Sequence, residues 1–201
     1  MTLVTGPLRR IRLLKRDENG AYMIEFALIM PAFLMLVMGI FDIGMQMYAK
    51  SVLSGAVEQA ARLNTLETNA NKASVIDQAV RDQVGRVARY GTLTFSRQNY
   101  RDFSGVGRRE PFTDSNGNGV RNAGECYTDM NNNNTWDTDQ GGAGQGGASD
   151  VVLYRANLTY NRLFPLWKML GEPQSETITI STVLRNQPYT AQSNNSTVRC
   201  S

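Results

Sequence analysis

The chain begins with basic and apolar residues in mixture and then becomes continuously apolar. No residue over 26–41 is charged, and the apolar run extends back to Ala21 with Glu25 as its single interruption. A helix of that length measures about 31 Å, which matches the hydrocarbon core of one bilayer. The pattern predicts a transmembrane helix over residues 21–48. The same helix is expected to continue beyond the membrane to about Asn64, because small and apolar residues recur at helical spacing there.

The remainder predicts a second helix and a small sheet. Apolar residues from Ser74 to Ala88 lie on one face of a helix that Gly91 ends. Apolar and polar residues alternate, as in half-buried strands, at 92–96, 151–160 and 176–184, and a short apolar turn or helix lies at 163–171. We expect a lollipop-shaped α+β fold, in which the long helix extends into a domain with a second helix and a short antiparallel sheet. The polar tail from Thr190 to Ser201 is expected to be mobile.

Charge is concentrated at the N-terminus. Residues 1–20 hold five cations and two acids, and this net charge of +3 equals that of the whole chain, so the remainder is neutral. That balance gives no support to nucleic-acid binding. Lys and Arg beside a span stay in the cytoplasm. We expect a cleaved cytoplasmic leader at 1–20 and a periplasmic or extracellular domain at 49–201, so that the protein crosses a bacterial inner membrane once.

Glu25 is the anomaly of the apolar run, because a carboxylate costs ~2.5–3.5 kcal/mol at the centre of a membrane helix. If the chain is cut between Gly20 and Ala21, Glu25 becomes the fifth residue, and a new α-amino group lies about one helical turn before it. In a filament, the carboxylate of one subunit can neutralise the amine of the next. Two other interpretations are an ordinary secretory signal peptide, whose apolar region is shorter, and a permanent single-span anchor.

The spacing from Gly20 to Glu25-Phe26, after basic residues and before an apolar helix, resembles the processing site of type IV prepilins. The run Glu25-Phe26-Ala27 followed by Pro31 and by Phe41-Asp42-Ile43-Gly44 is similar to TadE-like pseudopilins of tight-adherence (Flp) pilus systems. This resemblance implies a pilin-like shape and a non-catalytic minor subunit for pilus assembly or priming. It implies cleavage by a prepilin peptidase between Gly20 and Ala21, and a role in assembly for Glu25 and Phe26. The implied partners are other pilins and pseudopilins, the pilus assembly platform and the inner membrane.

Residues 110–150 form an acidic insertion with two candidate calcium loops. The first fits the 12-residue calcium loop at every ligand position, and Gly119 permits its sharp turn. Its candidate ligands are Asp114, Asn116, Asn118, Val120, Asn122 and Glu125.

The second loop repeats the pattern with defects. Its candidate ligands are Asp129, Asn131, Asn133, Asp137 and Asp139. Gln140 stands at the twelfth position and cannot supply a bidentate carboxylate, so Asp137 or Asp139 would have to compensate. We expect this site to be weaker or to share ligands with the first. The alternative for the whole insertion is a solvated loop that binds no ion.

Histidine is absent and cysteine occurs twice. Nucleophilic triads with histidine and histidine-based zinc sites are therefore excluded, and no nucleotide-binding loop is present. We expect no enzyme, since no residue set meets the positional requirements of a carboxylate-dependent hydrolase. In an oxidising compartment we predict a disulfide between Cys126 and Cys200, with free or intermolecular thiols as the alternative. The alternative function is a permanently anchored periplasmic calcium-binding module that binds a partner protein or surface.

Overall fold

The computed structural model describes residues 19–64, 73–187, 192 and 196–200. The part of the predicted leader over residues 1–18 lies outside the described residues. The chain divides into two compact units: Met1–Met45 with Leu163–Pro173, and Gln46–Arg162 with Gln174–Ser201.

The N-terminal helix α1 runs without interruption from Asn19 to Asn64, as the sequence predicted. Its apolar part is long and apolar enough, by length and composition, to cross a membrane once. Pro31 lies inside the helix without ending it. Large apolar side chains in the first half of α1, among them Tyr22, Phe26 and Leu28, are exposed. A single-pass membrane anchor accounts for this exposure, because lipid would cover these side chains.

The described residues of the second unit contain the end of α1, a short helix, a 3-10 turn at Phe103–Gly105 and two antiparallel sheets. Helix α2 is Ala73–Val84, and the strands are β1 (Thr92–Tyr100), β2 (Cys126–Asp129), β3 (Gly142–Ala143), β4 (Val151–Asn161), β5 (Ser175–Arg185) and β6 (Thr197–Cys200). The larger sheet has the order β3-β1-β4-β5, and the smaller sheet pairs β2 with β6. The α+β class is confirmed, and β1, β4 and β5 contain the three predicted strands.

The core of this unit lies between the two helices and the larger sheet. Helix α1 contributes Leu53 and Val57, α2 contributes Val80, and β4 contributes Tyr154 and Leu158, all of them buried. Small residues of α1 complete the contact: Ala49, Ala56, Ala60 and Ala61. Their size lets the α1 backbone approach its neighbours closely, which explains why alanine recurs at helical spacing there.

Asp77 of α2 ties this helix to the sheet. Its Oδ1 accepts hydrogen bonds from Arg97 Nη2 at 2.6 Å and from Tyr154 Oη at 2.8 Å, and its Oδ2 accepts one from Arg97 Nη1 at 3.0 Å. Burial and the bond to Asp77 raise the pKa of Tyr154. Because a buried polar group is costly without a partner, this network fixes the register of α2 against β1 and β4.

Helix α2 is shorter than predicted. It ends at Val84, although the apolar pattern predicted helix as far as Ala88. Beyond it the N–H groups of Val87 and Ala88 both donate to the carbonyl oxygen of Val84 at 2.9 Å, so the chain continues as turns. Gly85 stands at this point, and glycine disfavours the helix interior because it loses more backbone entropy than other residues.

Strand β6 corrects the expectation of a mobile tail over Thr190–Ser201. It pairs with β2, with Cys126 opposite Cys200 and Asp129 opposite Thr197. The prediction was wrong for residues 197–200 because their partner strand lies far away in the sequence, inside the insertion. Residues 190, 191, 193–195 and 201 of the predicted tail lie outside the described residues.

The first unit includes a segment that returns to α1. Within Leu163–Pro173, helix α3 is Leu166–Met169, and the N–H groups of Leu170 and Gly171 close its end. Gly171 has φ of 87°, a left-handed value that glycine adopts readily after a helix. The predicted short turn or helix at 163–171 is thus a single helical turn with a glycine stop.

Candidate functional site

The first loop (residues 114–125) is wound around the carboxylate of Asp114. Oδ1 of Asp114 accepts a hydrogen bond from Gly117 N, and Oδ2 accepts one from Gly119 N, each at 2.7 Å. The two glycines have φ of 74° and 76°, which a side chain would strain. The backbone bond from Gly119, with weaker ones beside it, lowers the pKa of Asp114. The carboxylate is therefore ionised at neutral pH and fixed at the first loop position.

Amide side chains continue the first loop at its third and fifth positions. Asn116 Oδ1 accepts from Asn118 N at 3.0 Å, and Asn118 Oδ1 accepts from Val120 N at 2.8 Å. The carbonyl oxygen of Val120 accepts from Asn122 Nδ2 at 2.9 Å. The predicted oxygen donors thus lie within one turn-rich segment, each oriented by the backbone two residues further on or by a neighbouring amide.

Glu125 closes the first loop. Its side chain is 5% exposed, and its two oxygens accept from different parts of the loop: Oε1 from Ser115 N at 2.9 Å and Oε2 from Asn122 N at 2.8 Å. Both carboxylate oxygens are therefore held by backbone N–H groups of the loop. The twelfth position is the one from which a calcium loop takes its bidentate carboxylate.

The second loop (residues 129–140) has the same backbone arrangement. Oδ1 of Asp129 accepts from Asn133 N at 3.2 Å, and Oδ2 accepts from Asn134 N at 2.9 Å. Asn132 and Asn134 have φ of 59° and 68°, at the two positions that glycines hold in the first loop. Asparagine tolerates this left-handed conformation better than other side chains do, so the loop closes without glycine.

The amides of the second loop converge on Asp137. Asn131 Oδ1 accepts from Asn133 N at 3.1 Å, and Asn133 Oδ1 accepts from Thr135 N at 2.8 Å. Asp137 Oδ2 in turn accepts from Asn131 Nδ2 at 3.0 Å and from Asn133 Nδ2 at 2.6 Å. Three of the predicted second-loop residues are therefore joined directly through one carboxylate.

Glu110 closes the second loop from outside it. The residue is fully buried, with 0% of its surface exposed. Oε1 accepts from Met130 N at 2.7 Å, and Oε2 accepts from Asp137 N at 3.1 Å. These donors are the second and ninth residues of their loop, and in the first loop the second and ninth residues donate to Glu125 in the same way. Glu110 therefore has in the second loop the position that Glu125 has in the first.

The charge of Glu110 is poorly compensated. Burial raises its pKa, the backbone bonds from Met130 and Asp137 oppose this, and the neighbouring charges of Asp129 and Asp137 add to the increase. Within the described residues Glu110 makes no ion pair. A buried carboxylate beside two others is electrostatically unfavourable unless a cation joins it.

Asp129 does have a cationic partner. Arg199 of β6 donates from Nε to Asp129 Oδ2 at 2.7 Å. Burial alone would raise the pKa of Asp129, but the bonds from Arg199 and from the loop backbone outweigh it and lower that pKa. Arg199 thereby links the second loop to β6.

Asp139 and Gln140 lie apart from this cluster. Asp139 Oδ2 accepts from Tyr100 Oη at 3.1 Å and from Gln98 Nε2 at 3.4 Å, and burial together with this bond raises the pKa of Tyr100 to about 12. The backbone N–H of Gln140 donates to the carbonyl oxygen of Arg108 at 2.9 Å. In the described part of the chain no three His, Cys, Asp or Glu side chains gather closely enough to hold a metal ion by themselves. A cation at either loop would also need amide and carbonyl oxygens.

A disulfide joins the insertion to the end of the chain. Cys126 Sγ and Cys200 Sγ are bonded at 2.01 Å, and the described residues contain no free cysteine. Cys126 follows Glu125 directly, and Asp129 begins the second loop three residues later in β2. The bond therefore fixes β6, with Arg199, beside the junction of the two loops.

The predicted processing and assembly residues lie at the start of α1. Gly20, Glu25 and Phe26 are all exposed on the helix, and the backbone of Ala21 is helical. A side chain added at Gly20 would meet no atom within 4 Å. Over residues 19–41, which the structure describes as helix, Glu25 is the one charged residue, and its neighbours on the helix surface are apolar and exposed.

Comparison with known families bears on this segment. The model of the TadE-like protein family matches residues 20–62. This segment is TadE-like. The resemblance predicted from Glu25-Phe26-Ala27 and Pro31 is confirmed there. Neither a curated protein nor a solved structure matches the chain.

The TadE-like segment contains the predicted processing and assembly residues Gly20, Ala21, Glu25 and Phe26, whereas both loops and the disulfide lie outside it. TadE-like proteins are associated with pilus components and are structural rather than enzymatic.

Sequence reasoning missed Glu110 as part of the second loop. The available signal was its negative charge at the start of the insertion, but no loop pattern assigns a ligand so far before the first position.

Proposed function

We propose that this chain is a TadE-like pseudopilin, a non-catalytic minor subunit used in the assembly or priming of a tight-adherence (Flp) type IV pilus. The observation that carries the proposal is the TadE-like match over residues 20–62, which covers both the candidate cleavage site and the apolar helix. In this proposal a prepilin peptidase cuts between Gly20 and Ala21. The mature chain then crosses the inner membrane once, with its C-terminal domain in the periplasm, and meets other pilins and the assembly platform.

The exposure of Glu25 supports a role in docking. A carboxylate surrounded by exposed apolar side chains such as Ile24 and Phe26 has no internal partner in α1 that would offset its cost in lipid. The new α-amino group of a neighbouring subunit supplies the opposite charge. Pairing the two removes both costs at once, so the ion pair favours addition of the subunit to a filament.

The test is the number of surface pili in a strain that lacks the native gene and carries a variant. Glu25→Gln is expected to reduce piliation at least about tenfold, because the carboxylate that pairs with the amine is lost. Glu58→Gln is the matched control, since Glu58 is exposed on the same helix but beyond the predicted span. Wild-type piliation with Glu25→Gln, or equal loss with Glu58→Gln, would contradict the docking role.

The insertion supports a second proposed property, two structural calcium ions. The first loop would bind calcium through the predicted ligands Asp114, Asn116, Asn118, Val120, Asn122 and Glu125. The supporting observation is that the second loop has the same backbone conformation, with left-handed residues at the same two positions, although its sequence differs. Sites of this kind outside the cell bind with Kd of ~10⁻⁴–10⁻³ M, which suits ions that order a domain.

For the second ion we propose Glu110 as the closing ligand. It approaches the loop from the position that Glu125 holds in the first, and it is buried with no counter-charge among the residues that the structure describes. Asp129, Asn131, Asn133 and Asp137 would complete the site, while Asp139 stays with Tyr100. Arg199 already neutralises part of the charge of Asp129, so we expect the second site to be the weaker.

A permanently anchored calcium-binding module that binds a partner protein or surface is the alternative function. The two candidate calcium loops favour this alternative, because binding calcium requires no pilus assembly. It differs from the pseudopilin in one testable respect, since the anchored module keeps its leader.

A further inference from the structure

The segment Leu163–Pro173 is held against α1 where the uncharged run ends. Trp167 Nε1 donates to Asp42 Oδ2 at 2.6 Å, which brings an aromatic ring to the first charge after residues 26–41. The rings of Phe164 and Phe41 lie 6.4 Å apart in an edge-to-face arrangement. Leu166 packs beside Gly39, where an added Cβ would lie 3.7 Å from Leu166 Cδ2. The segment is thus fixed by contacts on three neighbouring positions of the helix.

Three large apolar side chains of this segment are uncovered. Leu163, Met169 and Leu170 are 75%, 69% and 63% exposed. In α1, Ile40 and Ile43 are also more than half exposed. Soluble proteins seldom leave so many large apolar side chains in water, and we call these five residues the apolar patch. Something apolar therefore covers it in the working protein.

The level of this segment along the membrane helix indicates what covers the apolar patch. From Ala21, a helix reaches residues 39–42 after about 30 Å, which is the thickness of the hydrocarbon core. Aromatic residues are enriched at this level because their rings have an apolar body and a polar edge, and Lys168 can extend its charged end into the headgroups. The N–H of the Trp167 indole already has a polar partner in Asp42.

We infer that residues 163–171 form a second membrane contact, which lies in the interfacial region of the leaflet at the Asp42 end of the span. The occupant of the apolar patch is lipid. The contact sets the depth of α1 in the bilayer, because the segment cannot follow the helix into the hydrocarbon without burying Lys168. This inference rests on the proposed membrane span of residues 21–48, but not on processing or on calcium.

The test is quenching of tryptophan fluorescence in the full chain, reconstituted in nanodiscs that hold one chain each. The chain has two tryptophans, so Trp136→Phe leaves Trp167 and Trp167→Phe leaves Trp136. With spin-labelled lipid, Trp167 emission is expected to fall at least about twofold for a label near the headgroup and less for a label near the chain end. Trp136 lies in the second loop and should change little. Thermal melting and circular dichroism of both variants establish that each is folded.

A second pair of variants tests the apolar patch itself. In the Trp136→Phe chain, Met169→Asp with Leu170→Asp should reduce quenching of Trp167 by at least half, because the exposed positions would carry charge into the interface. Val75→Asp is the matched control, since Val75 is equally exposed but belongs to α2.

Two outcomes would overturn the inference. One is equal quenching of Trp167 and Trp136 in single-chain discs. The other is protection of Trp167 only when several chains share a disc, which would assign the patch to a second copy of the chain. Retention of the wild-type chain in membranes after alkaline carbonate treatment tests the span itself, so failure of the span can be told apart from failure of the interfacial contact.

Discussion

Glu110→Gln is expected to abolish one of the two proposed calcium sites. The substitution keeps the size of the side chain but removes the carboxylate that accepts from Met130 and Asp137. Loss of an outer-shell partner alone costs a metal site roughly 10–100-fold in affinity, and loss of a direct ligand should cost at least as much. Isothermal titration of the full chain in detergent should give a stoichiometry of two for the wild type and one for the variant.

The two loops offer matched controls for each other. Glu125→Gln should remove the first site and keep the second, and Glu172→Gln, an isosteric change at an exposed residue outside the insertion, should keep both. At calcium concentrations 10–100 times Kd, each occupied site should raise the free energy of unfolding by about 1.4–2.7 kcal/mol. This corresponds to an increase of about 3–10 °C in Tm. Gln140 is the twelfth residue of the second loop. If Glu110→Gln still bound two calcium ions and Gln140→Ala bound only one, the proposed role of Glu110 would be contradicted. No binding by the wild type at 10-millimolar calcium would remove both sites.

Removal of the disulfide should lower the free energy of unfolding of the second unit by about 2–4 kcal/mol, or its Tm by about 4–16 °C. Cys126 and Cys200 are 74 residues apart, so the bond closes a long loop of the unfolded chain. Its loss should also release β6, and with it the ion pair between Arg199 and Asp129. The measurement is thermal melting of Cys126→Ser, Cys200→Ser and the double variant.

The stabilities of the two single cysteine variants and the double variant can be compared with one another. Because either substitution breaks the same bond, each single variant and the double variant should agree within about 0.5 kcal/mol. Arg199→Gln separates the ion pair from the disulfide. It should lower Tm by less than the cysteine changes do, because the disulfide stays in place and the buried carboxylate of Asp129 keeps its hydrogen bonds from the loop backbone. A double variant as stable as the wild type would show that the bond does not hold β6 in place.

Elements with a strong local pattern were predictable. Helix α1 follows from the uncharged run at 26–41 and the spaced alanines after it, while β1, β4 and β5 follow from alternation. By contrast, β2 and β6 are four residues each, and their strand partners lie far apart in the sequence. β3 has two residues and no pattern at all. Short strands that depend on a distant partner leave no periodic signal.

The candidate sites divide in the same way. The candidate processing and assembly residues and the candidate first loop could be named from the sequence, because cleavage motifs and calcium loops have fixed spacing along the chain, and their roles stay predictions. Glu110 was not, because its position in the second loop is created by the backbone path between residues 110 and 137. The contact of Trp167 with Asp42 was equally hidden, since the two residues lie 125 positions apart. Tertiary contacts of this kind require the fold.

The measurement that tests the pseudopilin account most directly is the mass and N-terminal sequence of the chain isolated from its native membrane. Wild type should begin at Ala21, and Gly20→Ala should remain uncut or be cut slowly. Gly44→Ala is the matched control, because an added side chain meets no atom within 4 Å at either glycine. The account predicts Ala21 for both wild type and Gly44→Ala. A wild-type chain that still begins at Met1 would contradict it and leave the permanently anchored module.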